Sequence, residues 1–406
     1  MSEARAPSLS FLVGNLLAAQ SFGTIATMTL PAVAPKVAET YGIDSSLIGY
    51  QISILAAAML VSLTLGSQLA VRWGSCRVQQ GGLILLIAGS FIAILPDAAF
   101  VFASALALGL GYGVLTTSAS HLLARFAPAE RRNLIFSLKQ TGVPIGGVGA
   151  AAITPAVALA YGWQWALGGN AVILCVLVLL LERGRPHWDD DRNPATRVGM
   201  NPFADVVAIW KHGALRLLSI AGGCFVIVQI CLSTFTVVFF AEEVGFGLIQ
   251  AGIVLTASQV GGVAGRVFWG WLADVTRSCF AVLAVLAAVM LAACVLAYFI
   301  TPRWAILTSC MLFFVIGSTA SGWNGAFLAE VARLAPRPAI SRLTGGSLAY
   351  VNVCKMVGPI VFTNAYLASG SYALTFALLA LPAAIGLGCV LAARRDELRI
   401  AATASS

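Results

Sequence analysis

Charge is scarce in this chain. Only 10% of its 406 residues are charged, where a soluble protein carries about 25%. With 59% hydrophobic residues and a mean hydropathy of +0.92, the composition excludes an ordinary soluble domain and implies a polytopic membrane protein. Acid is scarcer than base, 16 against 24. No acid falls deep in an apolar run, and Glu330 comes nearest. The nine cysteines form no CxxC pair and no zinc spacing. They read as small apolar fillers without a disulfide framework. His121, His187 and His212 make no HExxH pattern, and no Gly-Lys-Ser/Thr phosphate loop is present. An enzyme, a metal site, a bound cofactor and an ATP-driven pump are therefore not expected. Nor is a cleaved signal. The first ten residues hold Glu3 and Arg5, and the apolar run after them is span-length.

Apolar length is abundant. A helical span needs about 20 residues at 1.5 Å each. That rule predicts twelve, near 9–30, 46–70, 79–96, 98–122, 134–160, 163–181, 214–240, 248–273, 279–300, 304–329, 343–368 and 371–393. Pro96-Asp97, Tyr161-Gly162 and Ser369-Gly370 are turn signals between neighbours. The one long connection, 182–213, carries Asp189-Asp190-Asp191 and Pro186, Pro194 and Pro202, with a short surface helix expected near 203–212. It divides the chain into a six-span bundle over 1–181, a linker, and a second bundle over 214–406. Apart from three bases within spans, the basic residues fall at the termini or in even-numbered connections, except Lys36 and Arg303. By the positive-inside rule both termini and the linker are expected in the cytoplasm. The net charge of +8 is thus topological and implies no nucleic-acid partner.

One stretch departs from its apolar surroundings. Ser137-Leu138-Lys139-Gln140-Thr141-Gly142-Val143-Pro144-Ile145-Gly146-Gly147-Val148-Gly149 holds a lysine, an amide, a proline and four glycines. The second half answers with Cys354-Lys355-Met356-Val357-Gly358-Pro359. Two such stretches at corresponding places suggest a duplicated machine with a polar site between its halves. Gly142, Pro144, Gly146, Gly147, Gly358 and Pro359 read as packing and hinge positions. Lys139, Arg266 and Lys355 are the three ionisable groups within spans, each costly to insert by about 2.5–3.5 kcal/mol. Arg266 lies about 12 Å inward from Asp274, and Lys355 about 20 Å along its helix from Arg342. Lys139 is only about 10 Å past Arg132, so its stem can either reach a pocket or snorkel to the headgroups. Three cations without a built-in acid suit an anionic substrate. Asn15, Gln140, Gln259, Asn324 and Asn352 add amide groups to the same candidate site.

The halves share a further element. Leu69-Ala70-Val71-Arg72-Trp73-Gly74 follows span 2, and Gly270-Trp271-Leu272-Ala273-Asp274 with Arg277 follows span 8. These resemble the loop G-x-L-A-D-R-x-G-R-K of the major facilitator superfamily, with Ser67 in place of the glycine and Val71 in place of the aspartate in the first copy. Pro128-Ala129-Glu130-Arg131-Arg132 resembles the family's element between spans 4 and 5. The resemblance implies an all-α fold of twelve transmembrane helices in two pseudo-symmetric six-helix bundles. It also implies a charged latch, here assigned to Asp274 with Arg277 and Arg72. Gly261-Gly262-Val263-Ala264-Gly265-Arg266 resembles span 8 of the oxalate–formate antiporter and monocarboxylate transporters, where an arginine binds carboxylate. Lys355 resembles the antiporter's span 11 lysine. The acid that monocarboxylate transporters carry one turn before the arginine is replaced by Gly262, so their proton coupling does not carry over. The Lys139–Pro144 stretch resembles the cyanate-permease-like bacterial branch.

Together these imply a monomeric secondary transporter of the bacterial inner membrane. It would move a small anion, foremost an organic carboxylate, by alternating access, with exchange and proton coupling both open. The alternatives are an exporter of drugs or other small molecules, and a non-transporting sensor or assembly protein on the same fold.

Overall fold

The structure, a computed structural model, describes residues 8–128, 131–196, 198–199, 209–210, 212–336 and 340–404. Among them, twelve helices are long and apolar enough to cross a membrane. They are α1 (Leu9–Ala32), α2 (Ser45–Trp73), α3 (Ser75–Ala93), α4 (Ala98–Phe126), α5 (Ile135–Tyr161), α6 (Trp163–Glu182), α7 (Gly213–Glu243), α8 (Leu248–Thr276), α9 (Cys279–Ala297), α10 (Ile306–Leu334), α11 (Leu343–Ser369) and α12 (Tyr372–Glu397). Apolar runs take this form because hydrocarbon offers no partner to the backbone, and a helix satisfies its own.

The helix ends follow local chemistry. Ser8, Asp97, Ser278 and Ser371 each accept a backbone N–H of the helix they precede. Gly162 and Gly370 turn the chain at φ 98° and 68°, where the sequence places its turn signals. Between α2 and α3 the expected gap of several residues closes to Gly74 alone, at φ 97°, a conformation glycine adopts without strain. The α7 helix runs past its expected end through a π-helical turn, Phe239–Glu243. Glu243 there accepts hydrogen bonds from Ser371 Oγ at 3.0 Å, Ala373 N at 3.2 Å and Tyr372 N.

The chain forms two compact units. In the first, α1 packs on α5 and α6, and α3 packs on α4 and α6. In the second, α7 packs on α11 and α12, and α9 packs on α10 and α12. Adding six to each helix of the first set gives the second, so the internal repeat is one of packing as well as of motif. Close approach depends on small residues. On α8 and α10, a Cβ added at Gly261, Gly265 or Gly317 would run into the partner's backbone.

The unit boundaries differ from the 1–181 and 214–406 expected. The first unit is Met1–Asp44 with Ile54–Met200, and the second is Ser45–Ser53 with Asn201–Ser406. The start of the linker therefore belongs to the first unit. The opening of α2 belongs to the second, where Thr363 Oγ1 donates to Ser46 O at 2.8 Å and Tyr50 OH to Asn364 Oδ1 at 3.2 Å. The surface helix expected near 203–212 falls mostly outside the described residues, as do Ala129 and Glu130.

Candidate functional site

In the first unit, α5 is interrupted at Thr141, between helical segments Arg132–Gln140 and Gly142–Tyr161. Pro144 lacks the N–H that the Gln140 carbonyl would accept. Lys139 sits at the end of the first segment. It is 3% exposed and makes no hydrogen bond or ion pair with a described residue, so its side chain is folded into the protein. Gln140, its neighbour, is exposed. Gly142 and Gly146 lie on the α1 side. A Cβ at Gly142 would come within 2.9 Å of Leu17 O and of Gln20 Cβ, and one at Gly146 would strike Ser21 O. Both glycines let α1 and α5 approach closely. Gly147 is buried and Pro144 is half-buried. Asn15, 6% exposed, donates to Phe11 O at 2.8 Å and leaves its own oxygen buried without a partner among the described residues.

In the second unit, Arg266 on α8 and Lys355 on α11 are both half-buried. Lys355 makes no hydrogen bond or ion pair with a described residue. Gln259 lies two turns before Arg266 and Asn352 one turn before Lys355, so each amide shares a face with a cation. The side-chain nitrogens of Asn324 and Asn352 donate to Ser321 O at 3.3 Å and Leu348 O at 2.9 Å, within their own helices. At Gly262 a Cβ would approach Ser321 Oγ to 2.9 Å, so an acid there needs α10 to give way. Gly358 is buried against Ile227 of α7, and Pro359 lies within α11.

The expected latch residues are on the surface. Asp274, Arg277 and Arg72 are exposed, and Asp274 makes no hydrogen bond or ion pair with a described residue. Arg277 closes α8 in a left-handed conformation, φ 50°. In the first unit a different acid holds the α2–α3 corner. Asp189 Oδ1 accepts Cys76 N at 2.6 Å and Oδ2 accepts Arg77 N at 3.1 Å. This satisfies the opening donors of α3. Burial pushes the Asp189 carboxyl above its ordinary range, and these two donors oppose the shift. Alongside, Asn193 N donates to Val71 O at 2.7 Å, and Gln68 exchanges two hydrogen bonds with Gly199. Thus where Val71 removes the loop's acid, the linker supplies one.

Sequence reasoning missed this strap because a triple aspartate among prolines looks like a solvated linker. One signal was there. Ala124-Arg125-Phe126-Ala127-Pro128 recurs as Ala332-Arg333-Leu334-Ala335-Pro336. Arg125 pairs with Asp190 and with Asp191, the latter at 2.8 Å. Arg333 pairs with Glu397 and with Glu330, 3.0 Å from its Nε. Each unit thus ties the end of its fourth helix to the chain at or beyond the end of its sixth.

A model of the Major Facilitator Superfamily matches residues 16–363. The chain belongs to this superfamily. Among its relatives is the galactose-proton symporter of Escherichia coli K12, 30% identical over 148 residues, which are 36% of this chain and 31% of that one. Human monocarboxylate transporter 11 is 25% identical over 267 residues, 63% of this chain and 53% of its own. The 3-(3-hydroxy-phenyl)propionate transporter of Escherichia coli K12 is 27% identical over 248 residues, 60% of each. The chain therefore spans from under a third to 60% of the length of these superfamily members. A solved bacterial homolog of the human lysosomal transporter Spinster, inward-facing and unoccupied, matches 97% of this chain and 99% of its own. Its TM-score is 0.77 at 14% identity, which supports the superfamily fold alone.

Proposed function

We propose that this chain is a secondary active transporter that moves a small organic carboxylate across the bacterial inner membrane by alternating access. Arg266 and Lys355 grip the anion and Lys139 assists. The observation that carries the reading is a buried lysine, Lys139, at 3% exposure with no acid partner among the described residues. A charge in such a place is costly until something neutralises it, and a substrate carboxylate does so while it is bound. Guanidinium offers that carboxylate a planar fork, and ammonium a mobile point charge. Two of the relatives are named for carboxylate cargo, which supports the reading. The galactose-proton symporter is named for a neutral one.

Both termini face the cytoplasm, the protein acts as a monomer, and the cation-lined site favours anion exchange. The test is counterflow in proteoliposomes against a panel of organic and inorganic anions and neutral sugars. Uptake stimulated by a carboxylate inside the vesicle is expected. Stimulation by sugars alone overturns the reading.

A further inference from the structure

We infer that Gln20 is a recognition point beside Lys139, and that it reads a hydrogen-bond donor carried by the carboxylate substrate, a hydroxyl or an N–H. This rests on the carboxylate reading above and goes further by stating what else the substrate must carry.

Gln20 lies midway along α1 and is 1% exposed. Its Oε1 is buried and accepts no hydrogen bond from a described residue. Buried polar atoms in folded proteins nearly always have partners, because an orphan costs about 1–3 kcal/mol. An unmet acceptor in an apolar helix is therefore a place for an incoming donor.

The position of Gln20 gives that donor a context. Its Cβ and Cγ pack on Gly142, 2.9 Å and 3.2 Å from where a Cβ would be. Lys139 precedes Gly142 by three residues, and its segment, Arg132–Gln140, also packs on α1. The helices run parallel along this seam, since Gly142 meets Leu17 and Gln20, Gly146 meets Ser21 and Thr24, and Gly149 meets Ile25. Gln20 and the buried Lys139 therefore lie along one α1–α5 seam within the first unit, about one turn apart. The two groups do not bond to each other, and neither the ammonium nor the amide oxygen has another partner among the described residues.

Their chemistry is complementary. The ammonium donates and attracts negative charge, while the amide oxygen accepts. A bare carboxylate serves the first and leaves the second unmet. A hydroxy acid, or an acid bearing an N–H, serves both.

The experiment measures binding to the purified full-length protein by titration calorimetry. Two matched pairs are the probes: L-malate against succinate, and 4-hydroxybenzoate against benzoate. Wild type is expected to bind the hydroxylated member of at least one pair about 10- to 100-fold more tightly. Gln20→Met, close in shape and without the acceptor, should erase that preference by weakening the hydroxy acid alone. Lys139→Ala should weaken both members of a pair alike. Equal wild-type affinity within both pairs overturns the inference, and this result needs no variant to fold. Gln20→Met weakening both members equally also overturns it, since that marks a packing role. If Lys139→Ala still weakens all the acids in either case, the carboxylate reading survives. If none of the four acids binds, both fall.

Discussion

Arg266, Lys355 and Lys139 carry the proposal at the scale of single residues. Removing one partner of a desolvated, charge-assisted contact costs about 2–5 kcal/mol, or roughly 30- to several-thousand-fold in affinity. Arg266→Ala and Lys355→Ala are each expected to lose carboxylate binding in that range, measured on purified protein that elutes as wild type does. Arg266→Lys should also be poor, because the charge remains but the planar fork is lost. Near-normal affinity in both alanine variants would sink the clamp and bring forward the neutral-solute or sensor alternatives. Lys139→Ala is expected to cost affinity as well, since its side chain is folded inward rather than reaching for the surface.

Individual helices are held by devices that can be cut one at a time. Asp189 caps α3 from the linker, with Oδ1 on Cys76 N and Oδ2 on Arg77 N. Asp189→Ala leaves both donors unmet and should destabilise the protein by about 1–3 kcal/mol. Asp189→Asn should lose less. Burial already holds the carboxyl above its ordinary 3.8, so the charge is a liability there, and the amide keeps one accepting oxygen. A raised carboxylate stabilises the fold only at low pH and loses that contribution as pH rises through its folded value. The gap between wild type and the asparagine variant should therefore narrow as pH rises. Thermal melts ordered wild type, asparagine, alanine at pH 7 would match this account, and a harmless alanine would refute it. In the second half Ser278 caps the corresponding helix, and the corner acid Asp274 makes no hydrogen bond with a described residue. Asp274 is exposed, free to serve a moving contact. Asp274→Asn should slow transport while leaving anion binding intact, and equal loss of both would remove the latch role.

Across the molecule, topology is the property most open to test. Bases concentrate in the even-numbered connections and termini, so the linker is expected in the cytoplasm. A single cysteine placed at Asn201 should resist a membrane-impermeant thiol reagent in intact cells and react in inverted vesicles. Labelling in intact cells would reverse the orientation. The matched neighbour sets of the two units, α1 with α5 and α6, α7 with α11 and α12, show the internal repeat in the packing.

Twelve spans were legible in the sequence because hydrocarbon forces each crossing to be about 20 apolar residues of self-satisfied helix. The motif repeat and the three intramembrane cations were legible for the same reason, since polar residues stand out where almost none are tolerated. Turn glycines marked two of the short connections. Other features needed the tertiary structure. That Lys139 is buried while Gln140 beside it is exposed depends on which face of α5 meets α1. Composition cannot say this, because a membrane helix is apolar all round and its pattern does not mark the inner face. The Asp189 cap joins residues more than a hundred apart in the chain, and only folding brings the linker to that corner. Nothing in the sequence singles out Gln20 among the amides of the spans. Its unmet oxygen became visible once the packing of Gly142 showed where the side chain lies and that no described residue supplies a donor.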